Sequence, residues 1–434
     1  MGVDTVGVRI YGKNDLRLER FTLPDPADDE IVAKIVSNSI CMSSHKAAEQ
    51  GASHKRVPDD VAENPTIIGH EFAGRIEKVG SKWAGQFEEG QKFALQPALM
   101  YKGSLDAPGY SYRQIGGNCQ RVVIPQEVMT TGSLLPYSGD AYFKASLSEP
   151  MSCVVAAFMA QYHIPPAQHQ HVMGIKEGGN AALLASAGPM GLGAIDFALH
   201  GTQQPGVMLV TDIDPDRLGR ASSIFPPDKA AQHGVELIHL NPNDLEGGND
   251  ALVDYVRELT DGEMMDDVFV FFPHPALIEQ ADKLLGRDGC LNFFAGPKDR
   301  DFKASINFYD VHYEGHHLAG TSGGTTDDMQ MALDLMSEGR LNPAHMITHV
   351  GGLNSVPDTI LDLPNIPGGK KLVYVDVDMP MTPIDEFDDR AEEADEPLRS
   401  CYHELGRLVD RAGGLWNEEA EEFLLNCEDV KFSG

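Results

Sequence analysis

The sequence predicts an α/β protein: a β-rich antiparallel part, then a doubly wound parallel sheet, then a C-terminal helical extension. Three observations carry that prediction. Strand-like runs separated by turn residues open the chain, at VGVRIYG, LRLERFTL and EIVAKIV. From about Ala181, short apolar runs alternate with helix-length amphipathic segments, the pattern of parallel strands joined by helices. Beyond about Asp376 the chain turns acidic, and PLRSCYHELGRLVDRAG and NEEAEEFLLNC read as two further helices.

Taken in order, the opening strands break at Gly12-Lys13-Asn14-Asp15 and at Pro24-Asp25-Pro26, both turn signals. SNSICMSSHKAAEQG follows, with Cys41 at a strand-to-helix junction and Ser43 and Ser44 as candidate helix caps. PTIIGHEFAGRIEKVG, from Pro65 to Gly80, holds His70 and Glu71 at a strand end beside a glycine. A Tyr/Gly/Ser-rich loop runs from Tyr101 to Asn118. A helix is expected from Ala145, with Ser148 as cap and Pro150 in its first turn. AALLASA, VMLVTD, ELIHL, DDVFVFF, GCLNFFAG and HHLAGTS are the expected parallel strands, and DDMQMALDLMSEGRLNP, from Asp327, is a well-signalled helix. KKLVYVDVD returns the chain to β structure. The acidic run from Ile384 to Pro397 reads as a solvated linker or helix face. The expected domains are 1–160, completed by about 345–378; 161–344, binding a dinucleotide; and 379–434, the acidic extension.

Composition bounds the function classes. A hydrophobic fraction of 42% and a charged fraction of 23% in 434 residues are ordinary for a globular protein of two or three domains. The formal charge of −32, from 34 basic and 66 acidic residues, argues against nucleic acid and anionic membranes as partners. It leaves room for an anionic small substrate met by a local cluster of cations. No apolar run approaches the ~20 residues of a membrane-spanning helix. The N-terminus lacks both the basic start and the apolar core of a secretory signal, and position 6 is not the Ser or Thr of a myristoylation motif. The six cysteines are scattered, which suits a reducing compartment, and the cytoplasm is expected.

Two constellations carry chemistry. SAGPMGLG, Ser186 to Gly193, lies between an expected strand and an expected helix. There small residues let the backbone approach a pyrophosphate at a helix N-terminus. Ser186 replaces the first glycine of G-x-G-x-x-G, while Gly188 and Gly191, with Pro189 and Met190 between them, keep the rest. Asp212 ends the next strand roughly 20 residues past Gly191, where an acidic residue accepts hydrogen bonds from a ribose and repels a 2′-phosphate. NAD(H) is thereby favoured over NADP(H), with Arg217 near the adenosine and Asp214 as a rival for the ribose. The second constellation is Cys41, His70 and Glu149, each at an element end. A thiolate, an imidazole and a carboxylate form a three-ligand catalytic zinc set with a fourth position open. Singly, each has a bland reading: a buried thiol, a satisfied histidine, a helix-terminal carboxylate.

The order of ICMSS, GHEFAGRIEKVG, LSEP, AGPMGLGA and VTDIDPDRL resembles the zinc-containing medium-chain dehydrogenase/reductase superfamily over roughly residues 8–375. The Glu-Pro form resembles its polyol, sorbitol-type branch. ICMSS with DLPNIPGGKKLVYV is most similar to members of the L-sorbose-1-phosphate reductase type. The resemblance implies a GroES-like catalytic domain and a Rossmann domain. It implies catalytic roles for Cys41, His70, Glu71 and Ser43, the last as proton-relay hydroxyl, and a metal site of Cys41, His70, Glu71 and Glu149, with Glu149 a zinc ligand or the holder of the zinc water.

Departures from the family pattern are Ser44 in place of an aspartate and Lys46 in place of a relay histidine, with His45 one position early. No cysteine-rich lobe is present, so one catalytic zinc and no structural zinc are expected. The implied reaction is hydride transfer between a nicotinamide cofactor and a polyol/ketose pair. The narrower likeness adds a phosphate, for which Lys46, Lys55, Arg56 and Arg113 are candidate partners. A homo-oligomer, dimer or tetramer, is expected. Rival expectations are a general alcohol, threonine or aldose dehydrogenase and, more remotely, a zinc-lacking binding protein. His312, His316 and His317 read as loop or strand-edge histidines rather than a second metal site.

Overall fold

The alternating runs at the start of the chain form strands whose apolar side chains share one face. The computed structural model describes residues 2–432. Val3–Gly12 and Asp15–Leu23 pair as an antiparallel hairpin. Asn14 turns it at φ 56°, a conformation asparagine tolerates better than most residues. Ile31–Ile40 is the strand around which the larger sheet is built. It pairs antiparallel with Glu71–Val79, Arg121–Ile124 and Lys370–Tyr374 in an eight-stranded sheet. Ile31, Ala33 and Ile35 point into one core with Phe72, Ile76, Phe93, Val122 and Ile124.

The chain divides into two compact units. One comprises the residues up to Glu149, Thr325–Ser337 and Ile347 onward; the other is Pro150–Gly324 with Glu338–Met346. In the second unit, Asn180–Leu184, Val207–Thr211, Glu236–Leu240, Met265–Val270, Leu285–Phe293 and His317–Ala319 form a six-stranded sheet, parallel throughout. Numbered within this unit, their order is 3-2-1-4-5-6, the Rossmann arrangement. The order reverses beside Asn180–Leu184, and ligands bind at such a switch point.

The structure departs from the sequence expectation in several places. The helix expected from Ala145 runs Tyr142–Met159, with Pro150 inside it and not in its first turn. Its start is set by a distant cap: Glu421 accepts from the Tyr142 and Phe143 amides at 2.5 and 2.8 Å. The division between the units falls within this helix. Thr326–Ser337, expected with the dinucleotide part, groups with the β-rich unit because Met329 and Leu333 pack against Ala73, Ala94, Leu135 and Tyr137. Cys41, not Ser43 or Ser44, caps the Met42–Gln50 helix. Part of the acidic run folds as a helix, Phe387–Glu393, with Phe387 and Ala391 buried.

The extension is no separate body. Its helices, Phe387–Glu393, Leu398–Arg411 and Glu418–Asn426, belong to the β-rich unit. Trp416 is buried and donates from Nε1 to the Tyr374 hydroxyl at 2.8 Å, which in turn donates to Glu421 at 2.7 Å. Burial pushes the Glu421 carboxyl up to about 7, against the three donors that favour its charged form. Glu421→Ala strands two helix-terminal amides and a buried hydroxyl. It is expected to lower unfolding free energy by about 2–4 kcal/mol in urea titrations; a loss under about 0.5 kcal/mol would mean that water replaces the cap.

Candidate active site

Backbone register brings together residues that lie far apart in sequence. Cys41 follows the Ile31–Ile40 strand directly, and Glu71 begins the partner strand, where Ser39 stands opposite it. Gly69, at φ 107°, turns the chain just before His70; a side chain there would collide with Asn118. The ligand atoms of Cys41, His70 and Glu71 consequently lie within 4.8 Å of one another. Among the described residues this is the one group of three or more His, Cys, Asp or Glu so disposed.

Glu71 and His70 are buried and Glu149 is partly so. Burial pushes the Glu149 carboxyl up to about 7; His70 pulls it down, while Glu71 and Cys41 push it further up. Burial, then Glu71, raises the Cys41 thiol. Burial lowers His70 and so keeps it the neutral imidazole that metals bind, although Glu149 and Glu71 oppose the shift. The Cys41 thiol and the Glu149 carboxyl, both pushed up by burial and by Glu71, stand with a neutral imidazole as a donor set that a divalent cation would relieve. The residues fit a zinc ion.

Two residues of this cluster were not singled out by the sequence reading. Lys370 donates to both oxygens of Glu71, at 2.5 and 2.7 Å. Burial opposes both charges, but the pair holds Glu71 below the usual carboxylate range and Lys370 above the usual lysine range. Tyr110 is buried, with its hydroxyl 3.3 Å from His70 Nε2 and its ring centroid 4.8 Å from that of His70. Burial holds its phenol protonated. Lys370 lies in the DLPNIPGGKKLVYV stretch without being marked there as a site residue, and Tyr110 lies in an irregular loop; each arrives through tertiary pairing. Ser44, where the resemblance expects an aspartate, places its hydroxyl 3.4 Å from His70 Nδ1. The Ser43 hydroxyl lies within hydrogen-bonding reach of Cys41 and Tyr110. His45 is buried, with Nδ1 2.8 Å from the Ile360 carbonyl.

In the other unit, Asn180–Leu184 leads through the small-residue turn into the Pro189–His200 helix, with Gly188 at its cap and Pro189 first. Gly191 is obligatory, because a Cβ there would lie 1.7 Å from the Ser186 carbonyl oxygen. Ser186, standing for a glycine, turns its hydroxyl back to Leu183 O at 2.8 Å. Met190 follows in the first turn, half-buried. Asp212 ends the second strand; its two oxygens accept from the Ala187 and Asp214 amides at 3.0 and 3.1 Å. Asp214 caps the Pro215–Ile224 helix, and its carboxylate lies 3.5 Å from Arg217 Nε. Elsewhere in this unit His317 pairs with Asp288 at 2.6 Å.

Comparison with known proteins adds the following. The alcohol dehydrogenase GroES-like domain matches residues 27–133, and the zinc-binding dehydrogenase domain matches residues 189–338. A mannitol-1-phosphate 5-dehydrogenase from Aliivibrio fischeri is 48% identical over 429 residues, 99% of each chain. An L-sorbose 1-phosphate reductase from Klebsiella pneumoniae is 47% identical over 427 residues, 98% of each chain. The structure of 2R,3R-butanediol dehydrogenase from Bacillus subtilis superposes with a TM-score of 0.66 at 20% identity, covering 85% of this chain and 99% of that one.

Lys370→Met leaves Glu71 as an uncompensated buried charge, expected to cost about 3–5 kcal/mol of stability. Pairing it with Glu71→Gln should recover much of that loss. Urea denaturation of metal-free protein reads both; a single variant within about 1 kcal/mol of wild type would refute this account of the pair.

Proposed function

The chain belongs to the zinc-binding dehydrogenase family, and on that premise we propose that it interconverts a phosphorylated polyol and its ketose with NAD(H) at a single catalytic zinc. The observation that carries this reading is the thiol–imidazole–carboxylate cluster on neighbouring strand ends, its imidazole and carboxylate buried and its thiol half-buried. The sugar phosphates named in the two relatives supply the substrate class.

Cys41 and His70 would hold the ion, with Glu71, in the same group and neutralised by Lys370, beside them and Glu149 as the further carboxylate. Bound zinc supplies a Lewis acid for the substrate oxygen, and the nicotinamide supplies the hydride acceptor or donor. The remaining work falls to the chain's own side chains. Ser44 holds the His70 ring through Nδ1, which leaves Nε2, beside the protonated Tyr110 hydroxyl, as the nitrogen that would face the ion. Ser43 is the proton-carrying hydroxyl, since it lies within reach of both Cys41 and Tyr110. His45 is engaged by the Ile360 carbonyl, which favours exit of the proton through Lys46 or water.

The turn from Gly188 to Gly191 receives the dinucleotide phosphates, and Asp212 the adenosine ribose. A 2′-phosphate would meet that buried carboxylate, hence NAD(H) over NADP(H). A homo-oligomer is supported by the sheet edge at His317–Ala319, where Leu318 and the nearby Phe308 and Tyr309 are exposed. No helix among the described residues is long and apolar enough to cross a membrane; the cytoplasm is the proposed compartment.

Purified protein is expected to carry about one zinc per chain by elemental analysis, and chelation should abolish NADH-dependent reduction of L-sorbose 1-phosphate. Zinc-loaded protein inert toward every polyol and ketose tested would end this reading. Asp212→Ser is expected to raise the NADPH-to-NADH ratio of kcat/KM by about tenfold or more, equivalent to about 1.4 kcal/mol. An unchanged ratio would remove Asp212 from cofactor discrimination.

A further inference from the structure

The chain carries 66 acidic residues against 34 basic ones, and its arginines are commonly paired. Arg9 pairs with Glu19 at 2.7 Å, Arg121 with Glu77 at 2.9 Å, and Arg113 with Asp60 at 3.7 Å. Arg56 differs. It is half-buried, its Nε is shielded from solvent with no hydrogen-bond partner, and no carboxylate pairs with it among the described residues. Half-burying a guanidinium without a counter-charge is unfavourable unless a ligand completes it.

Its surroundings hold it in place. The Arg56 amide donates to His54 Nδ1 at 3.3 Å, and its carbonyl accepts from the Ser111 hydroxyl at 2.7 Å. The guanidinium carbon sits 5.4 Å from the centroid of the Tyr110 ring, the same ring that contacts His70. His54 stacks on that ring as well, at 5.7 Å and 15°. Because His54 Nδ1 is an acceptor here, the neutral ring carries its proton on Nε2 as a further donor. The local field is positive despite the overall charge: burial, then Arg56, Lys55 and Lys46, lower His54 to about 4. Lys55 is exposed beside it.

We infer that Arg56, with His54 and Lys55 at its side, receives the phosphate of the sugar-phosphate substrate one aromatic ring away from His70. The planar fork of a guanidinium can grip a phosphate through two hydrogen bonds, and Tyr110 stacking keeps the fork from turning away. Of the four cations that the sequence offered for this task, Arg113 is engaged by Asp60. This inference rests on the sugar-phosphate reading above and assigns that phosphate its binding group.

The test compares wild type, Arg56→Gln and Arg56→Lys, all zinc-loaded, on L-sorbose 1-phosphate and on L-sorbose, with inorganic phosphate as inhibitor. Arg56→Gln is expected to lower kcat/KM for the phosphate ester about 10- to 100-fold more than for the free sugar. The loss should lie in KM, and inhibition by inorganic phosphate should weaken in parallel. Arg56→Lys, which keeps the charge without the fork, should recover part of the loss. It decides the matter if the glutamine variant does not fold, because a lysine variant equal to wild type in KM for the ester would overturn the inference. Equal losses on both substrates, or unchanged inhibition by phosphate, would also overturn it while leaving the sugar-phosphate reading standing. Wild type that turns over only unphosphorylated sugars would overturn that reading, and the inference with it.

Discussion

Lys370 reaches Glu71 across 299 positions of sequence and donates to both of its oxygens, with 6% and 1% of the two side chains exposed. Removing two charges from water costs several kcal/mol apiece, and such a pair often contributes little net stability. Its consequence here is registry. Glu71 begins one of the three neighbours of the Ile31–Ile40 strand and Lys370 begins another, so the pair forms only when both strands are aligned on the central one. That alignment is also what sets Cys41 beside His70. The Glu71 carboxylate of the cluster thus rests on a contact between the early part of the chain and its late return.

The same returning strand ties the C-terminal extension to the site. Tyr374, at the far end of Lys370–Tyr374, receives Trp416 and donates to Glu421. Glu421 in turn closes the N-terminus of the helix that carries Glu149. A carboxylate at that end also complements the helix dipole. One short strand therefore bears on the cluster twice: through Glu71 directly and, by way of the extension, through the helix of Glu149. The 98–99% coverage of the sugar-phosphate relatives means that they match the extension as well. The butanediol dehydrogenase structure, matched over 99% of its own length, leaves 15% of this chain uncovered.

Much of this was legible because periodicity and punctuation are local signals. The six parallel strands, the glycine turn and the tail helices all announce themselves within a few residues. Cys41, His70, Glu71 and Glu149 were singled out because each stands at an expected element end and their order resembled a known pattern. What stayed hidden depends on partners distant in sequence. Nothing around Ala145 shows that Glu421 will start that helix at Tyr142. Nothing near Met329 or Leu333 shows that their helix will pack on the antiparallel sheet. Lys370 is one of two adjacent lysines in GGKK, with nothing local to choose between them, and Tyr110 stands in a loop rich in similar residues. Both acquire meaning only from the strands and rings opposite them.

Charge shows the same separation of scales. A net charge of −32 would repel an anionic sugar at long range. At physiological ionic strength the field of exposed charges decays over about 8 Å, so the overall excess is largely screened before a substrate meets the surface. Within that distance the local groups decide, and around His54 they are Arg56, Lys55 and Lys46. Recognition of an anionic substrate by such a chain must therefore come from short-range contacts rather than electrostatic steering. A guanidinium fixed on an aromatic ring is well suited to that task, because its orientation is set before the ligand arrives and little side-chain freedom remains to be lost on binding.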